Sequence, residues 1–321
     1  MYLRSPPAGK LPPEATCGAS RAAVRLGGTP FRKAMSRYVR LLALSPLLFS
    51  ISASASDHAT LTTKTREKLQ EWYDGVGVPL AHETFGAYLA RTAFFQHGVG
   101  YDSVQTPTVP EKLRVELSRF ECVTFIESSL AVARCGFRGE ATAACFEREV
   151  TSSRYRGGAV SDYASRLHYF DDWIDDNEAR KRVKNLTPEL GGEPLTRSYF
   201  HISSRVLPGS DVSKDALAVL TREVAATESR LSRVPRLVLS RERAPGALDR
   251  LEDGDLVAFV RERPGLLIHH AGFIYRVRGK PRLLHASSYH QRVVLTSDDV
   301  TSYLLRRPER QGVLVARPLN P

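Results

Sequence analysis

Residues 113–133, LRVELSRFECVTFIESSLAVA, change their hydrophobic period at Cys122. Before the cysteine, Leu113, Val115 and Leu117 alternate with polar residues, which predicts a half-buried strand. After it, apolar residues recur at helical spacing, so Cys122 lies in the first turn of a predicted helix. The stretch therefore predicts a strand–helix unit with a thiol at its junction.

This position favours a reactive thiol at Cys122. A thiol at a helix N-terminus faces unpaired backbone N–H groups and the positive end of the helix dipole, and both lower its pKa. The residue is therefore a candidate nucleophile, with helix-start N–H groups available to stabilise an oxyanion. The alternative is a buried structural cysteine, because free cysteine is among the most buried residue types.

Residues 35–55 have the layout of a secretory signal peptide. A basic segment begins at Met35, an apolar run covers residues 41–51, and an Ala-x-Ala site ends at Ala55. The apolar run is far shorter than the ~20 residues that cross a bilayer, so no membrane span is expected. We predict translation from Met35, export to the periplasm and cleavage after Ala55.

The flanking regions differ in character. Residues 1–34 are rich in Pro, Gly and basic residues, and we interpret them as a disordered extension or as an upstream start included in error. Residues 56–321 contain no low-complexity linker and no internal repeat, which predicts a single catalytic domain. The sequence does not indicate an oligomeric state.

Most of the net charge belongs to the leader. Residues 1–55 hold eight of the 46 basic and one of the 35 acidic residues, so residues 56–321 retain 38 basic and 34 acidic residues, a net charge of +4 instead of +11. No basic stripe with interleaved aromatic residues remains, and a nucleic-acid partner is therefore not expected. A mild positive charge suits an anionic polymer such as a cell wall.

Three cysteines follow the leader, and an odd number in an oxidising compartment leaves one thiol unpaired. Cys135 and Cys145 flank a short loop and could pair. Cys122 would then be the free, reactive thiol. Two unpaired thiols are the alternative.

Helices are predicted before strands along the mature chain. The predicted helices cover residues 61–75, 82–97, 122–136, 144–155 and 214–230, with loops over 98–110 and after Trp173 through 192. The predicted strands cover residues 251–259, 266–277, 281–287, 292–295 and 313–317, with a hairpin turn at 279–281. This order predicts an α+β fold.

Two neighbouring predicted strands contain histidines that could serve Cys122. A cysteine nucleophile needs a base within hydrogen-bond reach, and the base needs an orienting group. Alternation predicts that His269 and His270 lie on opposite faces, with His270 and Ile268 on the face that packs against the nucleophile helix. Hairpin pairing can set His285 beside His270.

Each histidine could instead be an ordinary core or surface residue. Neighbouring histidines with nearby acids could also bind zinc, but no HExxH helix is present. We therefore expect neither a metal nor another cofactor.

Residues 120–127, FECVTFIE, resemble the RFDCVTFVE signature of the DUF1460 family. These are N-acetylmuramoyl-L-alanine amidase-like proteins of the NlpC/P60 cysteine peptidase superfamily. Further matches follow in the family's order and cover most of the mature chain: residues 163–173, 254–255, 270–272 and 284–288. One departure is Glu121, which replaces the usual Asp, so the specificity of this chain could differ.

The resemblance implies a papain-like NlpC/P60 α+β core, in which the nucleophile helix packs on an antiparallel sheet, with additional helices. It implies Cys122 as nucleophile, His270 as general base and acid, and His285 as the residue that orients the imidazole. The implied substrate is peptidoglycan or a muropeptide, cleaved at an amide bond through a thioester. N-acetylmuramoyl-L-alanine amidase activity is the activity we expect.

The resemblance also places the stem peptide near residues 163–170. The candidate substrate-binding residues are Glu121, Tyr163, Ser165, Arg166, His168 and Ser287. Arg166 could hold a stem-peptide carboxylate as a bidentate fork. A structural salt bridge is the alternative for Arg166, and packing or surface roles are the alternatives for the others.

Three other functions fit the same residues. A cell-wall endopeptidase would cut the γ-D-Glu–diamino acid bond with the same machinery. A non-catalytic module of this fold would bind peptidoglycan without turnover. A thiol acyltransferase or lipid-directed hydrolase would act on acyl substrates. Mass analysis of muropeptide products separates these alternatives.

The leader prediction has a direct check. Because the Ala-x-Ala site ends at Ala55, N-terminal sequencing of the exported protein should begin at Ser56. A mature start before Met35 would contradict this interpretation.

Overall fold

A β-sheet covered by helices on both faces forms the centre of this protein. The computed structural model describes residues 61–102, 109–205 and 212–321. The helices are α1 (Thr63–Val76), α2 (Phe85–Phe94), α3 (Cys122–Phe137), α4 (Ala143–Arg154), α5 (Phe170–Ala179), α6 (Lys214–Leu231), α7 (Ala244–Leu248) and α8 (Val300–Leu305). The strands are β1 (Gly100–Tyr101), β2 (Arg119–Phe120), β3 (Val183–Asn185), β4 (Glu193–Leu195), β5 (Arg236–Ser240), β6 (Leu256–Arg261), β7 (Ile268–Val277), β8 (Lys280–Ser287), β9 (Arg292–Asp299) and β10 (Arg310–Pro318).

The sheet order is β2-β1-β9-β8-β7-β6-β10-β5-β4, and β3 also pairs with β10. Pairing is antiparallel apart from the short β1–β2 pair. The chain therefore belongs to the α+β class, as its helix-then-strand order predicts. The last strand, β10, is not an edge strand, because it lies between β6 and β5.

Helix α3 packs on one face of the sheet. Phe125 of α3 meets Phe273 of β7 edge to face, with the ring centroids 5.7 Å apart. Both rings are fully buried, and burial of such a side chain contributes about 1.5–3 kcal/mol. On the other face, α7 and α8 cover a second apolar cluster that includes Phe259, Ile274 and Leu283. The sheet is thus the middle layer of three.

Strands β7 and β8 form the predicted hairpin. Its two-residue turn, Arg278–Gly279, has positive φ at both positions, 51° and 79°, the geometry that matches the twist of the flanking strands. Backbone pairing of β7 with β8 runs from Val277 opposite Lys280 to Phe273 opposite Leu284 and stops there.

Two predictions of local structure are wrong. Residues 113–117 do not form a strand, since the strand directly before Cys122 is β2, which covers Arg119–Phe120 alone. Leu113 and Leu117 are buried in the apolar core, so their alternation reflects side-chain burial without backbone pairing. The predicted loop after Trp173 begins with α5 instead. Phe170, Trp173 and Ile174 are buried along that helix, at the i, i+3, i+4 spacing typical of an amphipathic helix.

A disulfide joins Cys135 near the end of α3 to Cys145 in α4, with the Cα atoms 6.0 Å apart. The sequence left this pairing open, and the structure contains it, with Cys122 free. The interpretations of residues 1–34 and of the signal peptide fall outside the described residues. Within the described ranges, no helix combines the length and apolarity that a membrane crossing needs.

Candidate active site

Cys122 is the first residue of α3, and the preceding Glu121 is the N-cap of that helix. The Glu121 carboxylate accepts hydrogen bonds from the backbone N–H groups of Val123 at 2.9 Å and Thr124 at 2.7 Å. In return, the Thr124 hydroxyl accepts from the Glu121 N–H at 3.1 Å. This reciprocal capping box satisfies three of the backbone donors at the helix start. It fixes the backbone on both sides of the thiol.

The same carboxylate changes the electrostatics of the thiol. Cys122 Sγ donates to Glu121 Oε2 at 3.4 Å. Burial, followed by the Glu121 charge, raises the pKa of the Cys122 thiol well above its ordinary value, while interactions with backbone N–H groups, first that of Ala271, lower it by less. The predicted lowering of the pKa is therefore wrong. The helix-start donors that would have stabilised a thiolate bind a carboxylate, which adds a negative charge beside the sulfur.

His270 and His285 form a hydrogen-bonded pair, as predicted. His270 Nε2 lies 2.6 Å from His285 Nδ1, and the ring centroids are 4.7 Å apart. The predicted face is wrong, however. A bulge between β6 and β7 pairs Phe259 with His270 but the next residue with Ile268. The bulge shifts the alternation of β7, so Ile268 packs in the core on the α3 side and His270 lies over Phe259.

His269 is the extra residue of that bulge. Its Nδ1 lies 3.0 Å from the Phe259 carbonyl oxygen, so the ring is held against the backbone of β6. Burial, ahead of the other causes, lowers the pKa of His269 to about 4. The two adjacent histidines therefore have different partners, and only His270 contacts His285.

Both imidazoles of the pair are neutral at physiological pH. Burial, then the nearby His285, His269 and Arg310, lowers the pKa of His270 well below its ordinary value. Burial, then His290 and Arg310, lowers the pKa of His285 to about 3. With the thiol pKa raised, the resting site holds a neutral thiol and neutral imidazoles rather than a thiolate–imidazolium pair.

Gly272 permits the close approach of the two histidine strands. A Cβ at this position would lie 2.7 Å from the Leu284 carbonyl oxygen and 2.9 Å from the Cβ of His285. Any side chain would therefore push β8 away from β7. Gly272 follows His270 by two residues and shares its face, so the glycine keeps His285 within hydrogen-bond distance of His270.

The Cys122 thiol lies against β7 beyond the point where the backbone pairing of β7 with β8 ends. The backbone N–H of Ala271, the residue after His270, interacts with the Cys122 thiol, and this position lies beyond the last paired residues of β7 and β8. Among the described hydrogen bonds, none joins Cys122 to His270, and His270 uses only Nε2. Catalytic hydrogen bonds are commonly long in unliganded sites and shorten with substrate.

Arg166 is paired within the protein. Its guanidinium contacts Glu111 Oε1 at 2.6 Å, with both side chains almost fully buried, and it lies over the Tyr163 ring at 5.5 Å. Glu111 also accepts a hydrogen bond from the Tyr155 hydroxyl at 2.9 Å. The sequence showed no sign of Glu111, because its partner lies 55 residues away.

Two other candidates from this segment are also engaged locally. Ser165 forms a reciprocal capping box with Asp162. His168 Nε2 lies 2.8 Å from the Tyr163 carbonyl oxygen, and burial, followed by the charge of Arg166, lowers the pKa of His168 to about 3. Tyr163 is 7% exposed. These side chains therefore hold the segment together.

Two residues that the sequence analysis missed lie beside the histidine pair. The Tyr303 ring of α8 is 5.5 Å from that of His285, and the Arg310 guanidinium of β10 lies 3.9 Å from the Tyr303 centroid. Ser287, a predicted candidate, is also near, and its hydroxyl is 3.1 Å from His290 Nδ1. Neither Tyr303 nor Arg310 belongs to a motif, so no sequence signal identifies them.

Within residues 61–102, 109–205 and 212–321, no group of three or more His, Cys, Asp or Glu side chains could hold a metal ion.

A known protein family matches most of this chain. The AmiA-like family, described as N-acetylmuramoyl-L-alanine amidase-like, matches residues 95–313, which include α3, the histidine pair and α8. The chain belongs to this family. No curated protein sequence matches the chain.

Solved structures with this fold come from several bacteria. An N-acetylmuramoyl-L-alanine amidase from Bacteroides uniformis superposes with a TM-score of 0.64 at 23% identity, over 73% of this chain and 98% of the other. A proposed xylanase from Bacteroides fragilis gives 0.61 at 26% identity, over 70% and 98% of the two chains. A Legionella pneumophila protein of the DUF1460 family gives 0.61 at 14% identity, over 80% and 95%. The DUF1460 resemblance is therefore confirmed.

The electrostatics of Cys122 generate a prediction. The rate of alkylation by iodoacetamide should be low at about pH 7 and should keep rising beyond about pH 9, because the thiol pKa is raised. Glu121→Gln removes the adjacent charge and should accelerate alkylation at about pH 8. Mass spectrometry of Cys122 labelling measures both rates.

The exposed Glu116 provides a matched control, since Glu116→Gln removes an acid that does not contact the thiol. A labelling rate that levels off below about pH 8 in the wild type would contradict the raised pKa. An unchanged rate in Glu121→Gln would contradict the role of the carboxylate.

Proposed function

We propose that this protein is an exported cysteine amidase that hydrolyses the bond between N-acetylmuramic acid and L-alanine in peptidoglycan or muropeptides. The observation that supports it most strongly is the 2.6 Å His270–His285 hydrogen bond on the strand that the Cys122 thiol contacts. Membership of an amidase-like family supports the substrate class. We assign the α3–sheet unit to the NlpC/P60 papain-like core on the same grounds.

The proposed role of His270 as a base requires one tautomer of its ring. If His270 Nδ1 is to accept a proton, Nε2 must bear the hydrogen and donate it to His285 Nδ1. His285 then holds the imidazole in the orientation that turns its Nδ1 lone pair towards the thiol. Because both rings are neutral near pH 7, His270 is available as a base without first losing a proton.

The first half of the reaction makes a thioester. As Sγ of Cys122 attacks the amide carbonyl carbon, the thiol proton passes to His270 Nδ1. The Glu121 carboxylate already engages the N–H groups of Val123 and Thr124, so the Cys122 N–H is the remaining helix-start donor for the oxyanion. One such donor contributes roughly 10²–10³ in rate. Collapse of the intermediate breaks the C–N bond, and His270 returns the proton to the leaving amine.

The second half releases the sugar. Water gives a proton to His270 as its oxygen attacks the thioester carbonyl, and Cys122 leaves with that proton. No metal or other cofactor enters these steps. Glu121 stands beside the nucleophile with one carboxylate oxygen 3.4 Å from Sγ, and its longer side chain relative to Asp places the charge next to the reacting group.

Point variants test these roles. With defined muropeptides, Cys122→Ala and His270→Ala should each lower product formation by about 10³-fold or more, because a nucleophile and its base act as a unit. His269→Ala is the matched control and should keep activity within about threefold, since the Nδ1 of His269 lies against the Phe259 carbonyl and not against His285. Product masses should correspond to free stem peptide and unsubstituted sugar.

Several results would contradict this assignment. Hydrolysis retained by Cys122→Ala would exclude Cys122 as the nucleophile. A larger loss of activity in His269→Ala than in His270→Ala would assign the role of the base to His269. Products cut at the γ-D-Glu–diamino acid bond would identify an endopeptidase instead. Circular dichroism of each variant shows whether the fold is intact.

A further inference from the structure

A cavity of about 580 Å³ opens beside the histidine pair on the α8 side of the sheet. His285 and Tyr303 are part of its wall, together with Arg292, Arg306, Arg307 and Arg310. Its volume falls in the range of about 300–1,000 Å³ that is typical of small-molecule sites. Because His285 is part of this wall, the cavity directly adjoins the histidine pair.

The cavity wall is strongly basic. Among the described residues that line it, four are arginines and none is Asp or Glu. Arg306 pairs with Asp298 outside the wall, whereas Arg292, Arg307 and Arg310 have no ion pair within the described part of the chain. The Glu309 carboxylate acts on Arg307 and Arg310 from nearby, but positive charge stays in excess around this space and attracts anions.

Arg310 is held in position by contacts that use few of its N–H donors. One of its N–H groups donates to the Tyr303 carbonyl oxygen, and the guanidinium lies against the rings of Tyr303 and Phe259, at 3.9 and 5.6 Å from their centroids. A guanidinium has five N–H donors, so most remain for a planar bidentate partner. Arg166 differs, because it is already paired with Glu111.

We propose that this cavity is the subsite for a carboxylate of the stem peptide, with Arg310 as its principal ligand and Arg307 in support. The proposal rests on the proposed function and adds where the acidic part of the substrate binds. The glutamate that follows alanine has a free α-carboxylate, and one extended residue spans about 3.3–3.6 Å. A scissile amide at Cys122 therefore leaves that carboxylate close enough to enter a cavity that adjoins His285.

Two muropeptides that differ only at this group test the subsite. One has the glutamate α-carboxylate, and the other has the neutral carboxamide of isoglutamine. Binding is measured by calorimetry in Cys122→Ala, which prevents turnover, and the carboxylate form should bind about tenfold or more tightly, as expected for a charge-assisted bidentate contact. Arg310→Gln in that background should remove the preference by weakening the carboxylate form alone.

Three further variants separate binding from structure. Arg310→Lys should restore part of the preference, because it keeps the charge without the fork. Arg307→Gln, at an exposed position, should reduce the preference in the same direction. Arg250→Gln, at an exposed arginine outside the cavity wall, is the control and should retain it. Thermal melting of each variant identifies any loss of fold.

The outcomes distinguish this subsite from the amidase proposal. Equal binding of the two muropeptides, or a preference that survives both Arg310→Gln and Arg307→Gln, would overturn the subsite even if the wild type hydrolyses both. A preference removed by Arg310→Gln supports the subsite even if the wild type hydrolyses neither, a result that would overturn only the amidase proposal.

Discussion

The hydrogen bond between His270 Nε2 and His285 Nδ1 is the contact on which the rest of this site depends. It forms because three features of the β7–β8 hairpin bring the two imidazole rings together. A bulge places His270 over Phe259, the tight turn at Arg278–Gly279 sets the register, and Gly272 leaves no Cβ between the strands. A change in any one of these features would separate the rings, although none of them touches the thiol.

The site is also defined by what surrounds its ionisable groups. A cysteine at a helix start is usually activated by the helix dipole, yet here Glu121 takes the backbone donors and adds a negative charge. Burial keeps His270 and His285 neutral. In the proposed mechanism, proton transfer accompanies attack, and charge develops only when the carbonyl of the substrate is in place. Such a site limits reaction of the free thiol with other electrophiles.

The sequence predicts the parts of this protein that depend on local pattern. The helix after Cys122 and the β7–β8 hairpin follow from hydrophobic period and turn residues. Spacing and strand pairing allow the Cys135–Cys145 disulfide and the His270–His285 contact without requiring them. The face of His270 does not follow from the sequence, because a bulge inserts one residue and reverses the alternation. The raised thiol pKa does not either, since it depends first on the burial of the sulfur in the folded protein and then on the Glu121 charge beside it.

Long-range contacts account for the remaining differences. Glu111 pairs with Arg166 across 55 residues, and Arg310 reaches the histidine pair from a strand near the end of the chain. Neither residue belongs to a periodic or motif pattern. The sequence therefore predicts candidates for the reacting residues but gives no sign of the arginine-lined cavity beside His285.

The central claim is that Cys122 attacks the substrate and forms a covalent intermediate with its muramoyl part. Rapid acid quench of the wild-type enzyme during turnover, followed by intact-mass analysis, tests it most directly. The account predicts a transient adduct on Cys122 with the mass of the muramoyl acyl group, absent in Cys122→Ala. Product formation with no adduct under conditions that slow thioester hydrolysis, or an adduct with the mass of a peptide acyl group, would contradict it.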